Sequence, residues 1–149
     1  PPDRFRELAA GVTEAQRDSA AKAFDGDPQD TATPEAMARL LRQVWRREAL
    51  NDANATLLLD IMTRSTTGGA RIKGMLPPSI EVAHKTGTIG GTTNDVGIIT
   101  LPGDAGHVIA VLFVKESDRP VEERERAIAQ VARALYDYFL FNPQSTSRP

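Results

Sequence analysis

Residues 82–115, VAHKTGTIGGTTNDVGIITLPGDAGHVIAVLFVK, decide the fold. Apolar and β-branched residues fill three short segments, Glu81–Thr88, Asp95–Leu101 and His107–Lys115. Their joints are Gly90-Gly91 and Pro102-Gly103-Asp104-Ala105-Gly106, the residue types that hairpin connections require. The pattern predicts three strands in an antiparallel meander. The third, VIAVLFV, is apolar on both faces, so it is expected to be an interior strand covered by helices on both sides.

Outward from this meander the period changes to that of helices. Pro120 to Phe141 reads as a long helix with Ile128, Val131, Leu135, Tyr138 and Phe139 on one side. Upstream, Thr33-Pro34-Glu35 is a helix start: a hydroxyl cap, Pro in the first turn and an acid favoured by the dipole. Met37, Leu40, Leu41 and Val44 then form an apolar stripe up to about Arg47. Asn51 or Asp52 caps the next helix, in which Leu57, Leu58, Ile61 and Met62 are expected to face inward. Arg71 to Met75 follows as a short turn or helix that Pro77-Pro78 stops. Residues 1–12 read as a short helix opened by Pro and closed near Gly11. Residues 13–32 show no clean period and carry Gly26, Pro28 and several Asp, which reads as a long loop. Helices, then a meander, then a covering helix make an α/β (α+β layered) arrangement.

Bulk properties exclude several function classes. The 149 residues suffice for one domain that buries roughly 68–70% of its extended surface. Lys and Arg number 18 against 20 Asp and Glu, so the net charge is −2, and no long basic run offers a nucleic-acid footprint. The nearest, RQVWRR at 42–47, reads as a wet helix face, with Trp45 a core or interface residue. There is no cysteine, hence no disulfide or thiolate metal site. His84 and His107 lack the paired spacing of a zinc site, so no metal is expected. The longest apolar run, Val108 to Val114, is too short to span a bilayer. The chain opens PPDRF without methionine, as a processed or trimmed chain does.

Lys85 stands in the first strand beside Thr86, Gly87 and Thr88. Alternation places Lys85 and Gly87 on one face and Thr86 and Thr88 on the other, and a bulge at Gly87 would bring lysine and hydroxyls to one rim. Gly87 lets a ligand approach the backbone closely. This set suits anion handling beside an acyl centre: an ammonium field, hydroxyls for a carboxylate and a strand-edge N–H for an oxyanion. A bare K-T-G is also compatible with an edge strand guarded by lysine.

The flanking segments resolve that choice. Lys85-Thr86-Gly87, within VAHKTGT, resembles the third signature of the class A serine β-lactamases, whose set is S-x-x-K, S-D-N and K-T-G, in the wider penicillin-binding and D,D-peptidase superfamily. DTATPEAMARLL (30–41) resembles the entry to the helix that follows the family's Ω-loop. STTGGARIKGMLP (65–77), VAHKTGT, TTNDVGII and RERAIAQVARALYDYF (124–139) follow in the family's order. VTEAQ (12–16) resembles the Ω-loop glutamate motif of the PER-like branch. The resemblance implies that residues 1–79 belong to the helical domain, with the Ω-loop at about 12–32, and that residues 80–149 form the C-terminal part of the α/β domain. It implies Glu14 as the base that activates the deacylating water. Lys85 would supply the positive field and assist proton transfer. Thr86, Gly87 and Thr88 would receive the substrate carboxylate, the Thr88 N–H would be one oxyanion donor, and Arg71 would help hold that carboxylate. No cofactor or metal is implied. The substrate would be a β-lactam antibiotic and the compartment periplasmic or secreted, with no membrane or nucleic-acid partner. Lys73, Arg124 and Arg126 are expected to be surface charges.

The family's nucleophile is not found in its setting. The S-x-x-K match, Ser19-Ala20-Ala21-Lys22, lies after Glu14 in the polar flank QRDSAAKAFDGD (16–27) and reads as coincidence. No S-D-N or Y-x-N triplet occurs. The sequence therefore resembles the C-terminal half of the enzyme, and loss of the nucleophile costs on the order of a millionfold in such a site. The expected partner is the N-terminal half, as a separate chain, an unseen segment or a swapped copy. Two other readings stay open: a D,D-peptidase or esterase-like hydrolase of the same superfamily, or a catalytically silent complementation partner.

Overall fold

A computed structural model describes residues 4, 6, 10–29 and 31–142, and these form parts of two compact units, Pro1–Thr31 and Ala32–Pro149. The helix expected over residues 1–12 lies largely outside the described residues. In the first unit the segment read as a loop is instead a helix, α1 (Glu14–Gly26). Thr13 caps it reciprocally with Gln16: its hydroxyl accepts the Gln16 N–H at 3.3 Å while Gln16 Oε1 accepts the Thr13 N–H at 2.9 Å. The residues of α1 whose burial is described are all exposed, so no apolar stripe was needed and periodicity gave no signal.

The second unit runs α2 (Pro34–Trp45), α3 (Asp52–Thr63), a 3₁₀ turn (Ile72–Met75), β1 (Val82–Ile89), β2 (Thr92–Thr100), β3 (His107–Val114) and α4 (Val121–Phe141). The helix starts follow their expected chemistry. Thr33 Oγ1 accepts the Ala36 N–H at 3.2 Å ahead of Pro34, and Asn51 Oδ1 accepts the Asn54 N–H at 2.9 Å. Gly90, at φ +50°, supplies the positive φ of the tight β1–β2 connection.

The three strands form one antiparallel sheet in the order β1-β2-β3. Its ladder is unbroken, with Gly87 opposite Asn94, so Gly87 carries no bulge and the expected kink is absent. Two hydrogen bonds fix the phase of the ladder: Thr100 N–H to Glu81 O at 3.0 Å and Leu101 N–H to Gly106 O at 2.9 Å. Because bonded and non-bonded pairs alternate, the even residues of β1 and the odd residues of β3 turn their N–H and C=O groups away from β2. β3 is thus an edge strand of the described sheet, contrary to the interior position its apolar sequence predicts. It does carry helices on both faces, α2 on one and α4 on the other.

Each sheet face has its own core. Val82, Ile99, Val108 and Ala110 pack with Ile72, Ile128, Ala132 and Tyr136 under α4. Ala83, Val96 and Ile98 pack with Leu41, Val44, Leu59 and Met62 under α2 and α3. Two expected stripes are displaced. In α4 the buried residues are Arg124, Ile128, Ala129, Ala132 and Tyr136; of the expected stripe, Ile128, Leu135 and Phe139 pack at the core while Val131 and Tyr138 are exposed. In α3 Ala55, Leu59 and Met62 are buried, and Leu57, Leu58 and Ile61 face outward, as does Leu40 of α2. Leu40, Leu57, Leu58, Ile61, Val131 and Tyr138 are thereby left on exposed surface.

Candidate active-site wall

The lysine-bearing strand is fixed from behind by two buried polar contacts. His84 and Asp95 lie on the α4 face, on neighbouring strands, with their side chains wholly shielded from solvent. His84 Nδ1 is 2.9 Å and 3.0 Å from the two Asp95 oxygens, and Asp95 Oδ2 also accepts the Ile72 N–H at 3.1 Å. Gly97 makes room for this pair, since a Cβ there would stand 2.6 Å from the Ala83 carbonyl and 2.8 Å from His84 Cβ. Asp95 therefore ties together the residue before Lys85 and the residue after Arg71.

Arg71, 5% exposed, is the second tie. Its Nε donates to Glu125 at 3.0 Å, Nη1 to the carbonyls of Gly87 at 3.1 Å and Asn94 at 2.8 Å, and Nη2 to Thr88 Oγ1 at 2.5 Å. The guanidinium is thus engaged with protein acceptors and stands directly behind Thr88. A charged group this deeply buried requires such pairing.

In front of these ties the rim is open. Lys85, Gly87 and Thr88 are exposed and Thr86 is half-buried. Lys85 Nζ donates to the Thr86 carbonyl. Thr86 Oγ1 lies 2.8 Å from Thr67 Oγ1, which in turn is 3.2 Å from Ser65 Oγ, so a chain of three hydroxyls runs onto the strand. The N–H groups of Thr86 and Thr88 point off the free edge by the ladder phase. On the α2–α3 face the rim opens into a groove of about 600 Å³. Leu41, Leu58, Ile61, Met62 and Val96 line it, with Lys85 at its mouth. An apolar trough ending in an ammonium and several hydroxyls suits an acyl substrate with an anionic group, once something covers the trough.

Arg71 and Thr88 therefore come together in the second unit, whereas without a bulge Lys85 stays on the opposite sheet face, lining the groove with Ser65, Thr66 and Thr67. Glu14 opens α1 in the first unit and is exposed there, and Ser19 and Lys22 lie exposed along the same helix. Sequence reading missed three features. Thr67 as a hydroxyl partner gave no signal beyond the small polar run STTGG. Arg124 is buried, donating from Nη1 to the Gly90 carbonyl at 3.1 Å, and its four-residue spacing to Ile128 was the available clue. Lys73 lies near the end of α3, with Nζ 3.4 Å from the carbonyls of Thr63 and Ser65, where a cation offsets the helix dipole. Trp45, expected in a core or interface, is exposed, its ring tilted at 45° to that of His107 with centroids 4.1 Å apart. Among the described residues no group of three or more His, Cys, Asp or Glu is arranged for a metal ion, and no helix is long and apolar enough to cross a membrane.

Comparison with known proteins shows the family of the chain. Residues 3–139 match the model of the β-lactamase enzyme family. β-Lactamase VEB-1 of Pseudomonas aeruginosa is 37% identical over 93% of this chain and 48% of its own length. β-Lactamase CTX-M-25 of Escherichia coli is 40% identical over 77% of this chain and 40% of its own length. The crystal structure of TLA-3 extended-spectrum β-lactamase superposes with a TM-score of 0.71 at 35% identity, covering 73% of this chain and 42% of that one. The chain spans about half the length of the curated relatives it matches.

Proposed function

Because this chain belongs to the β-lactamase enzyme family, we propose that it is the part of a class A β-lactamase that contributes the K-T-G wall, the Ω-loop and the deacylating base. The observation that carries the reading is the rim itself: Lys85 exposed at the mouth of an apolar groove, beside Thr86 and a Thr88 held by Arg71. The nucleophilic serine belongs to the N-terminal half of the fold. Its oxygen attacks the β-lactam carbonyl, the ring C–N bond opens and the ring nitrogen takes up a proton. Lys85 lowers the energy of the anionic substrate in the groove and assists that proton transfer. Thr86 and Thr88 donate to the substrate carboxylate over the open Gly87, with Arg71 acting on it through Thr88. The outward N–H of Thr88 stabilises the oxyanion. Glu14 then takes a proton from water, which attacks the acyl ester and releases the serine.

The complementing half also explains the uncovered surfaces. The exposed Leu40, Leu58 and Ile61, on the helical side of the groove, are where a nucleophile-bearing helix rests, leaving the Lys85 end to the substrate. Turnover of a β-lactam implies a role in antibiotic resistance, and the family resemblance a periplasmic or secreted location.

Glu14→Gln tests the assignment of the base. In the protein extended by the segment encoded upstream of Pro1, this variant should accumulate a penicilloyl adduct visible by intact mass, with turnover reduced at least a hundredfold. Unchanged turnover would remove Glu14 from the mechanism. An adduct that accumulates equally in the parent protein would favour a D,D-peptidase.

A further inference from the structure

We infer that Arg124, acting through the β1–β2 turn, is a positioning residue for the backbone N–H of Thr88. The sequence makes this turn a very loose one. The ladder closes at the pair Ile89–Thr92, and only Gly90-Gly91 lies between. Glycine brings more backbone freedom than any other residue, and here two of them begin two positions after Thr88. Thr88 is exposed and its N–H points off the ladder, so pairing with β2 does not by itself fix that group.

The turn is nevertheless held, by two donors from outside the hairpin. Arg124, in the first turn of α4, sends Nη1 to the Gly90 carbonyl at 3.1 Å, and the Ser117 N–H reaches the Gly91 carbonyl at 3.1 Å. Neither contact comes cheaply. Arg124 is 7% exposed, and its Nε is buried without a partner among the described residues, a costly placement for a cation. Ser117 follows Glu116, whose φ of +55° lies in the left-handed region that residues other than glycine rarely adopt. Gly91 in turn leaves no room for a side chain, since a Cβ would stand 3.1 Å from both the nitrogen and the oxygen of Ser117. The next residue of α4 completes the arrangement. Glu125 accepts Arg71 Nε at 3.0 Å, and Arg71 donates to the Gly87 carbonyl and to Thr88 Oγ1. Two consecutive residues of one helix thus hold Thr88, Glu125 through its side chain and Arg124 through the turn that follows it. A donor set in advance stabilises a developing oxyanion more than one that must be ordered as the charge forms.

This inference rests on the hydrolase reading, in which the Thr88 N–H meets the oxyanion, so its test has one arm with a β-lactam and one without. In the protein extended by the segment encoded upstream of Pro1, Arg124→Met keeps the apolar stem and removes the donor. With folded protein counted by circular dichroism, kcat for nitrocefin should fall at least about tenfold while KM changes less than about threefold, as for an interaction made only in the transition state. Arg124→Lys can still donate to the Gly90 carbonyl and should return kcat to within about threefold of the parent. Arg126→Met removes an exposed charge from the same helix and should leave both constants in place. Hydrogen exchange of the unaltered extended protein needs no β-lactam and survives misfolding of any variant. The amides of Ile89 and Thr92, which close the turn, should exchange within about tenfold of those of Lys85 and Gly87 deeper in the ladder. Protected amides in a protein that turns over no nitrocefin would sink the hydrolase reading, and the oxyanion role with it, while the clamp stands. In an active protein, an unchanged kcat in Arg124→Met or an equal loss in Arg126→Met overturns the inference. So do Ile89 and Thr92 amides that exchange about a hundredfold faster than that of Lys85.

Discussion

The two edges of this small sheet are built in opposite ways. β1 presents Lys85, Thr86, Gly87 and Thr88 along its length, and behind them stand the buried Arg71, bonded to Thr88, and the buried His84–Asp95 pair. After His107, β3 carries only apolar side chains, and its outer row of backbone groups meets no strand among the described residues. An edge can be protected by polarity, and β1 is, but its polar groups are also held in place from behind, which mere protection does not require. β3 is packed by helices on both faces, but no comparable buried polar ties hold it among the described residues. The contrast separates an edge whose polar groups are held in place from behind from one that is apolar along its length.

The largest effect should come from cutting the support behind β1. Asp95→Ala leaves His84 Nδ1 and the Ile72 N–H buried without their acceptor, a loss of about 3 kcal/mol. Thermal unfolding followed by circular dichroism should therefore shift by roughly 10 °C. A shift within a degree or two would mean that the tie is not structural. At the rim itself, Lys85→Ala should leave the melting temperature in place because the side chain is exposed. In the extended protein it should lower kcat/KM for nitrocefin on the order of a hundredfold. Equal losses from removing an exposed lysine elsewhere, such as Lys115, would reduce the role of Lys85 to general charge. The smallest effect is expected from Thr67→Val, which removes one hydroxyl behind Thr86. KM should rise less than about tenfold with kcat nearly unchanged, as for a lost contact made equally in ground and transition states.

Local signals carried most of the fold. The glycine joints, the hydroxyl and asparagine caps and the three β-rich runs each act within a few residues, and the strands appear where those signals place them, shifted by one to three residues. Two kinds of information were not local. Periodicity registers a helix only when one face is buried, so the exposed α1 was invisible despite the Thr13–Gln16 capping box. Apolar content says that a strand will be covered but not by what, so β3 read as interior although it has no outer neighbour among the described residues. The site followed the same division. Lys85, Thr86 and Gly87 are contiguous and legible. The Asp95–His84 tie joins strands that only the register brings together, and the engagement of Arg71 with Thr88 required the folded turn.

The central claim is that β1 is one wall of a β-lactam-hydrolysing site whose serine lies in the other half of the fold. Nitrocefin turnover, measured side by side for the 149-residue chain and for the protein extended through its upstream-encoded segment, tests it most directly. The account predicts no turnover above buffer for the former and enzymatic turnover, abolished by Lys85→Ala together with Glu14→Gln, for the latter. Turnover by the 149 residues alone, or none from an extended protein that carries S-x-x-K and S-D-N, would contradict it.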